Sequence, residues 1–393
     1  MARLTKDDLD ALKFTLGKDN IYSWSRVKVY LDDKWEYYLK YVAHAKPDQE
    51  ESVYSKLGDC VHNQMEALYT TDISNEQMVV NLDDEYALSQ VMQKKFIRGD
   101  DEKQIKANEK IANKYLTCCK DYLLKAKKKE GENICEAFYV CNIDDYALQC
   151  YIDFMSFQDG FVDIIDYKTS TYYGTSQQLK NKVQLQIYGL AVKQCLGLDY
   201  SQIKLGWNFI KYIMVDYPQK NGKIKSRRLE RNDIGGHLGK TGELEGGLIA
   251  PITMWAKELK YSEDAILGFI DELYLTNSID HLPDDLKEKF KFYECIVDIP
   301  FNDDEVFSLT ALVSGTIKEI EEREAEYQRT KDEMLWWQDV SYDDEYRLFN
   351  LSQFSRKLHK PFDEYLKIKE ERALAQSEDA SQGTSDFAGV WKN

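Results

Sequence analysis

The chain has 393 residues, of which 43 % are hydrophobic and 13 % aromatic, enough for a sizeable core and too many for general disorder. Its 69 acidic and 52 basic residues give a formal net charge of −17. That excludes nucleic-acid binding through bulk charge but leaves room for a local basic groove, because steering depends on where charges lie. The eight cysteines (Cys60, Cys118, Cys119, Cys135, Cys141, Cys150, Cys195 and Cys295) form no CxxC pair and no metal-ligand spacing, and the opening MARLTKDDLDALKF is charged. Free thiols in a reducing cytoplasm are the expectation. No apolar stretch is long enough to span a bilayer, so no membrane association is expected.

Residues 1–20 form a polar N-terminal segment, helical at most in part. A helix is predicted from Tyr22, with Ser23-Trp24-Ser25 as its capping region and Val27, Tyr30, Leu31, Trp35, Tyr38 and Leu39 at helical spacing. A second is expected over roughly 55–69, completing an N-terminal helical part at 21–74. Residues 75–131 are charged and helical, end in Lys125-Ala126-Lys127-Lys128-Lys129-Glu130-Gly131, and read as a helical insertion. Then the texture changes. Residues 134–143, 147–157 and 161–170 read as three strands, the last two joined by a hairpin turn at Gln158-Asp159-Gly160. Helical periodicity returns over 176–196, and a second strand pair, 205–217 and 223–231, is joined through Asn221-Gly222.

The core so outlined, 132–240, precedes a mainly helical region at 241–374 with one further strand at 292–299. Residues 375–393 read as a disordered tail, its aromatics Phe387 and Trp391 inert rather than docked. There are no internal repeats. Helices, then a mixed sheet with a crossover helix, then helices again define an α/β core wrapped by helical additions.

Side chains alternate along a strand, so Val162, Ile164, Asp166 and Lys168 share one face. A lone D-x-K of this kind is more often a salt bridge at a strand end. The hairpin changes the weighing, because the antiparallel partner strand can bring Asp153 beside Asp166. Two carboxylates about 4 Å apart repel by about 4 kcal/mol at an effective dielectric of ~20. A folded protein tolerates that with a shared proton, a water or a cation, and hard oxygen ligands with open positions suit Mg²⁺ or Mn²⁺.

Asp153…Asp166-Tyr167-Lys168 resembles the PD-(D/E)xK nuclease superfamily, in particular its RecB-like and Cas4-like exonuclease branch. Three further pieces fit, in that branch's order: Tyr22-Ser23-Trp24-Ser25 before an aromatic helix (Trp35, Tyr37, Tyr38, Tyr41); Gly58-x-x-Val61-His62-x-x-x-Glu66; and Gln184-x-x-x-Tyr188. Together they cover roughly residues 20–200. The resemblance implies a restriction-endonuclease-like mixed sheet flanked by helices. It also implies that His62, Asp153, Asp166 and the Tyr167 carbonyl hold a Mg²⁺ or Mn²⁺ ion. Lys168 would then hold or activate the attacking water, and Glu136 would match an acid on the first core strand, although an edge-strand glutamate is nearly as good a reading. Glu66 reads as structural or supporting. Gln184 and Tyr188, one helical turn apart, would touch DNA phosphate or brace the site, and a buried Tyr with a hydrogen-bonded Gln is an equal reading.

Thr169-Ser170-Thr171 offers hydroxyls for phosphate or simply ends the strand. Lys220, Lys223, Lys225, Arg227, Arg228 and Arg231 cluster around the second hairpin with Tyr212 and Tyr217 nearby, a candidate DNA track, although a solvated hairpin tip is the plainer reading for any one of them.

The chain departs from many of these relatives. The N-terminal helix has no cysteine and only Cys295 follows Cys195, so no iron–sulfur cluster is expected. Trp336-Trp337 and the stretch 303–333 are candidates for closing the fold by packing instead. There is no GxxxxGK[ST] motif and hence no recognisable motor; any ATP coupling would come from a helicase or recombination partner. The expectation is a metal-dependent DNA exonuclease acting on ends in recombination or repair, of phage or mobile-element type. The alternatives are a structure- or sequence-specific endonuclease, or a non-catalytic DNA-binding scaffold of the same fold.

Overall fold

The computed structural model describes residues 4–49, 52–92, 102–239 and 241–385. An N-terminal helix α1 (Lys6–Leu16), capped by Thr5 and ended by Gly17 in the left-handed conformation, buries none of its residues. The short strand β1 (Ile21–Ser23) follows and leads into α2 (Trp24–Asp32). Ser23 closes the helix start as expected, its Oγ accepting from the Arg26 N–H, but Tyr22 belongs to the strand and not to the helix. At Asp33 the chain breaks and restarts as α3 (Lys34–Tyr37), whose last turn widens into a π-helix over Tyr38–Val42.

The next three helices are α4 (Val53–Thr70), α5 (Asn75–Met92) and α6 (Glu102–Lys125). They do not stand off as an insertion. Leu57, Val61, Met65, Met78, Leu82, Cys119, Tyr122 and Leu123 form one core with Phe154, Ile165 and Tyr167 of the sheet, so these helices are the layer covering one of its faces.

The strands β2 (Glu132–Ile143), β3 (Tyr146–Gln158) and β4 (Phe161–Lys168) fall where their alternation predicts. Asp159 and Gly160, both at positive φ, make the hairpin turn. The crossover helix α7 (Thr175–Leu196) then returns the chain to β5 (Ile203–Pro218), parallel to β4, and β6 (Ile224–Glu230) runs back antiparallel. A small hairpin of β7 (His237–Leu238) and β8 (Leu244–Glu245) precedes α8 (Ile249–Glu258), α9 (Glu263–Thr276) and α10 (Asp284–Lys287). The expected late strand is β9 (Lys291–Ile299), paired with β5. The chain ends in α11 (Asp303–Thr330), α12 (Tyr342–Asn350) and α13 (Lys360–Ser385). The tail expected to be disordered from 375 is thus helical through Ser385, and residues 386–393 lie outside the described ones.

The seven-stranded sheet has two forks. Along one edge β3 pairs with β2 on both sides of a break at Glu136 and Asp153; along the other it pairs with β1 over 147–149 and with β4 over 154–158. β5 repeats the plan: β9 lies on one edge, and the other is shared by β4 (203–209) and β6 (212–218). The face opposite α4–α6 is covered by α2, α3, α7 and α11. There Trp336, fully buried, stacks on Tyr37 and Tyr38 at ring separations of 5.7 and 6.1 Å. Trp35 Nε1 donates to the Leu358 carbonyl (3.0 Å), so the N-terminal aromatic helices close against the C-terminal segment as their composition suggested. None of the described helices is long and apolar enough to cross a membrane.

Candidate metal centre

Asp153, Asp166 and Lys168 lie between the two forks. Asp153 lies in the gap between β1 and β4 on β3, one residue before the pairing with β4 begins, and Asp166 and Lys168 lie at the end of β4, paired with Trp207 and Phe209 of the parallel neighbour β5. Ligand sites of α/β sheets lie at the carboxyl ends of parallel strands, where backbone groups and side chains open toward solvent without neighbours to cover them.

The strands are irregular at this point. Ile152 and Ala137 pack into the core under α7, whereas Phe154 and Cys135, two residues along each strand, pack into the core under α4–α6. Residues two apart on a regular strand share a face, so both strands change face between these positions. Glu136, opposite Asp153, makes the change on β2 with a left-handed φ of +50°. For a residue with a Cβ that conformation costs about 1–2 kcal/mol. The consequence is that carboxylates meet groups from both faces of the sheet.

One ring nitrogen of His62, from α4, and one oxygen each of Glu136 and Asp153 lie within 4.8 Å of one another. His62 Nδ1 is 3.7 Å from Asp153 Oδ2. A cavity of about 10 Å³, the room of a single water-sized sphere, is lined by these three with Met65, Glu66, Cys135 and Tyr167. Glu66, read from its motif as structural or supporting, lines the cavity, whereas Met65 and Cys135 are lining residues the sequence did not point to; for Cys135 the only signal was adjacency to Glu136. From the other face Tyr188 of α7 approaches, its hydroxyl accepting from Gln184 Nε2 (2.7 Å). Burial, then the charges of Asp153 and Asp166, push the Tyr188 phenol far above its usual range. With 7 % of its surface exposed, Tyr188 is placed to brace the carboxylates.

Burial is the largest influence on Asp153 and raises its carboxyl well above the ordinary range; Asp166 raises it further, and His62 and Lys168 offset only part of this. Burial, the largest single influence, would by itself lower the Lys168 ammonium. Asp166, Tyr173 and Asp153 together outweigh it and lift the lysine to about 12, holding it charged. Lys168 Nζ lies 2.6 Å from Asp166 Oδ2, yet not in hydrogen-bond geometry, and that buried oxygen has no hydrogen bond. Burial likewise opposes charge on His62, but Asp153 and the Tyr167 carbonyl prevail and raise its pKa. His62 Nε2 is 2.9 Å from that carbonyl. The Tyr167 carbonyl, implied as a metal ligand, therefore meets the imidazole here; with a proton on Nε2, Nδ1 faces Asp153 with its lone pair free for a cation.

The set fits a divalent cation. It offers an imidazole and two carboxylates around a cavity of ionic size, with a third buried carboxylate, ion-paired to Lys168, alongside; an enclosed group of carboxylates costs energy until enough counter-charge enters.

The remaining predicted residues separate. Gln184 is half-buried against Tyr188. Lys223 and Lys225 are exposed at the β5–β6 hairpin, Lys220 pairs with Glu258 (2.5 Å), and Arg227 donates to the Gly247 carbonyl (2.8 Å). Arg231 is fully buried, paired with Glu294 (2.6 Å), and so belongs to the structure rather than to a DNA track. Arg228 alone of this cluster is held against the loop that follows Lys168.

Two acids and a lysine brought together on adjacent strands of a mixed sheet, with an acid-lined cavity beside them, suit metal-dependent hydrolysis of phosphodiesters. The family model of the PD-(D/E)XK nuclease superfamily matches residues 22–291, and the chain belongs to that superfamily. The match spans α4–α6 as well as β2–β6, in keeping with the helices' role as a layer of the sheet. No curated protein matches. A solved structure titled "Crystal structure of SSO0001" is similar at 16 % identity over 62 % of this chain and 82 % of that one, with a TM-score of 0.16, too low to bear on the fold.

Proposed function

We propose that this member of the superfamily is a deoxyribonuclease that degrades DNA from its ends, with Mg²⁺ or Mn²⁺ as its cofactor. The observation that carries the reading is the meeting of His62, Glu136 and Asp153 around one small cavity, with the Asp166–Lys168 pair on the adjacent strand. His62, Asp153, Asp166 and, on release from the imidazole, the Tyr167 carbonyl would hold the cation. A divalent cation bound there supplies positive charge that acidifies a water and offsets charge developing on phosphate.

The protein's own groups do the rest. Lys168, kept charged by Asp166, presents an ammonium to a phosphate oxygen or to the attacking water. Tyr188 and Gln184 hold the carboxylates from behind, and the aromatic and aliphatic cover on both faces excludes bulk water. The eight free thiols suit a reducing, cytoplasmic compartment, and a helicase or recombination partner would present the ends.

The test is digestion of end-labelled linear and closed circular DNA with Mg²⁺ or Mn²⁺. Linear DNA is degraded and circles survive; cutting of circles would make the protein an endonuclease. Asp166→Ala and Lys168→Ala each lower cleavage by at least about 10²-fold with the fold intact. If both cut like wild type, the site is wrong; if neither they nor wild type cut any DNA, the chain is a non-catalytic binding protein.

A further inference from the structure

A ladder of aromatic rings leads from Lys168 to the second fork of the sheet. Tyr173 lies close enough to raise the Lys168 pKa. It meets Phe209, the cross-strand neighbour of Lys168, edge-on at 5.0 Å, and Trp207 at 5.3 Å. Phe209 in turn meets Tyr172 at 4.9 Å. Tyr212, where β6 begins to pair with β5, receives the Tyr172 N–H at its hydroxyl (3.4 Å) and meets the Tyr172 ring edge-on. Over the top lies Arg228, its guanidinium carbon 3.5 Å from the Tyr172 centroid and 5.3 Å from that of Tyr212.

Of the neighbouring cations, Lys211 is matched to Glu230 (3.3 Å), Lys220 to Glu258 and Arg231 to Glu294, and the exposed Lys223 and Lys225 lie farther along the hairpin, toward its tip. Among the described residues Arg228 pairs with no acid, and it is exposed. A guanidinium flattened on a ring has one planar face left, and that face stacks on nucleobases while its N–H edges reach phosphate. A base in a duplex has both faces covered by its neighbours; an unpaired base does not.

We propose that Arg228, fixed on Tyr172 and Tyr212, is a stacking platform for an unpaired nucleotide on the approach to the bond being cut, which makes single-stranded DNA the substrate of this site. The proposal rests on the nuclease reading and adds the strand state to it. Charge supports it as well: duplex binding draws on many phosphate contacts, and this acidic chain offers few unmatched cations beside the site, whereas rings are plentiful there.

The experiment measures binding of the full-length protein in EDTA, by fluorescence anisotropy, to three labelled 20-mers: an oligo-dT strand, a strand of abasic residues with the same phosphates, and a duplex. Wild type should prefer oligo-dT over the abasic strand by about tenfold, the order expected for one or two stacked bases. Arg228→Lys, which keeps the charge but not the plane, and Arg228→Ala should erase that preference, with duplex affinity changing less than about threefold. Tyr172→Phe keeps a ring under the guanidinium and should retain the preference, which guards against a folding defect being read as lost stacking.

A wild type without preference for bases, or an Arg228→Lys variant that keeps it, overturns the platform. Metal-dependent cleavage by wild type would then still uphold the nuclease reading. A wild type that neither binds nor cuts DNA overturns both.

Discussion

Replacing Asp153 by Asn should stabilise the metal-free protein and abolish its stabilisation by metal. The oxygens of Asp153 and Glu136 lie within 4.8 Å of each other. Two full charges at that separation would repel by about 3.5 kcal/mol at an effective dielectric of ~20; burial and Asp166 raise the Asp153 carboxyl as well, so the metal-free protein bears this cost partly by holding a proton there. His62 and Lys168 offset part of it, so a net gain of about 1–3 kcal/mol is expected when the isosteric Asn removes one charge. Metal acts in the opposite sense. At a free concentration 100 times its dissociation constant it stabilises wild type by about 2.7 kcal/mol. The variant, with a ligand lost and the remaining acids less crowded, should gain little.

The assay is urea unfolding at pH 7.5, in EDTA and in Mn²⁺. In EDTA the midpoint of Asp153→Asn should lie above that of wild type, and in Mn²⁺ the order should narrow or reverse. A variant less stable than wild type in EDTA, or one with the same metal-induced shift, would refute the view that repelling carboxylates are held together for a cation.

Glu136 gives a second handle. Glu136→Gly and Glu136→Ala lose the same carboxylate, but only Gly relieves the φ of +50°. The Gly variant should therefore be the more stable of the two by about 1 kcal/mol in urea unfolding; the reverse order would mean the backbone is not strained there. Tyr188→Phe should lower the cleavage rate with DNA affinity changed less than about twofold, because the buried hydroxyl is held by Gln184 within the field of Asp153 and Asp166; a loss confined to affinity would instead make Tyr188 a DNA contact.

Asp33 sets a pH dependence away from the site. Burial would raise its carboxyl, but His359 (2.8 Å) and then Arg347 (2.8 Å) outweigh burial and hold it at about 2. A depressed carboxylate contributes stability above its unfolded value near 3.8 and loses it as the pH falls toward 2, here about 2 kcal/mol. Asp33→Asn should be less stable than wild type at pH 6, and the gap should shrink between pH 4 and pH 2. A gap that widens in acid would contradict the assignment.

What the sequence made legible was whatever depends on period and order. Alternation located β2, β3 and β4, the Asp159-Gly160 turn fixed their register, and that register places Asp153 one step from Asp166. Helical spacing located α4 and α7 and put His62 and Tyr188 on faces turned inward. The strand β1 was not legible, because three residues are too few for a period to show. The lysine-rich texture of α6 reads as a separate insertion because its exposed face carries the charge; the buried Cys119, Tyr122 and Leu123 are too sparse to declare a core layer. The Asp166–Lys168 balance was unreadable in kind, since whether burial or a neighbouring carboxylate governs a lysine depends on a distance of 2.6 Å that no spacing in the chain encodes.

The strand irregularity at Glu136 and Asp153 is what joins fold to chemistry. In a regular sheet, α4 and α7 lie on opposite faces and His62 could not share a carboxylate with Tyr188. The change of face on β2 and β3, at the point where β1 has ended and β4 has begun, lets Asp153 be approached from both sides. The second fork, on β5, does the same for the substrate side by ending the pairing with β4 at Phe209 and starting that with β6 at Tyr212. The loop carrying Tyr172 enters that gap and comes to lie under Arg228. A metal centre and a nucleotide platform are thereby placed at the two breaks of a single sheet, with Lys168 between them.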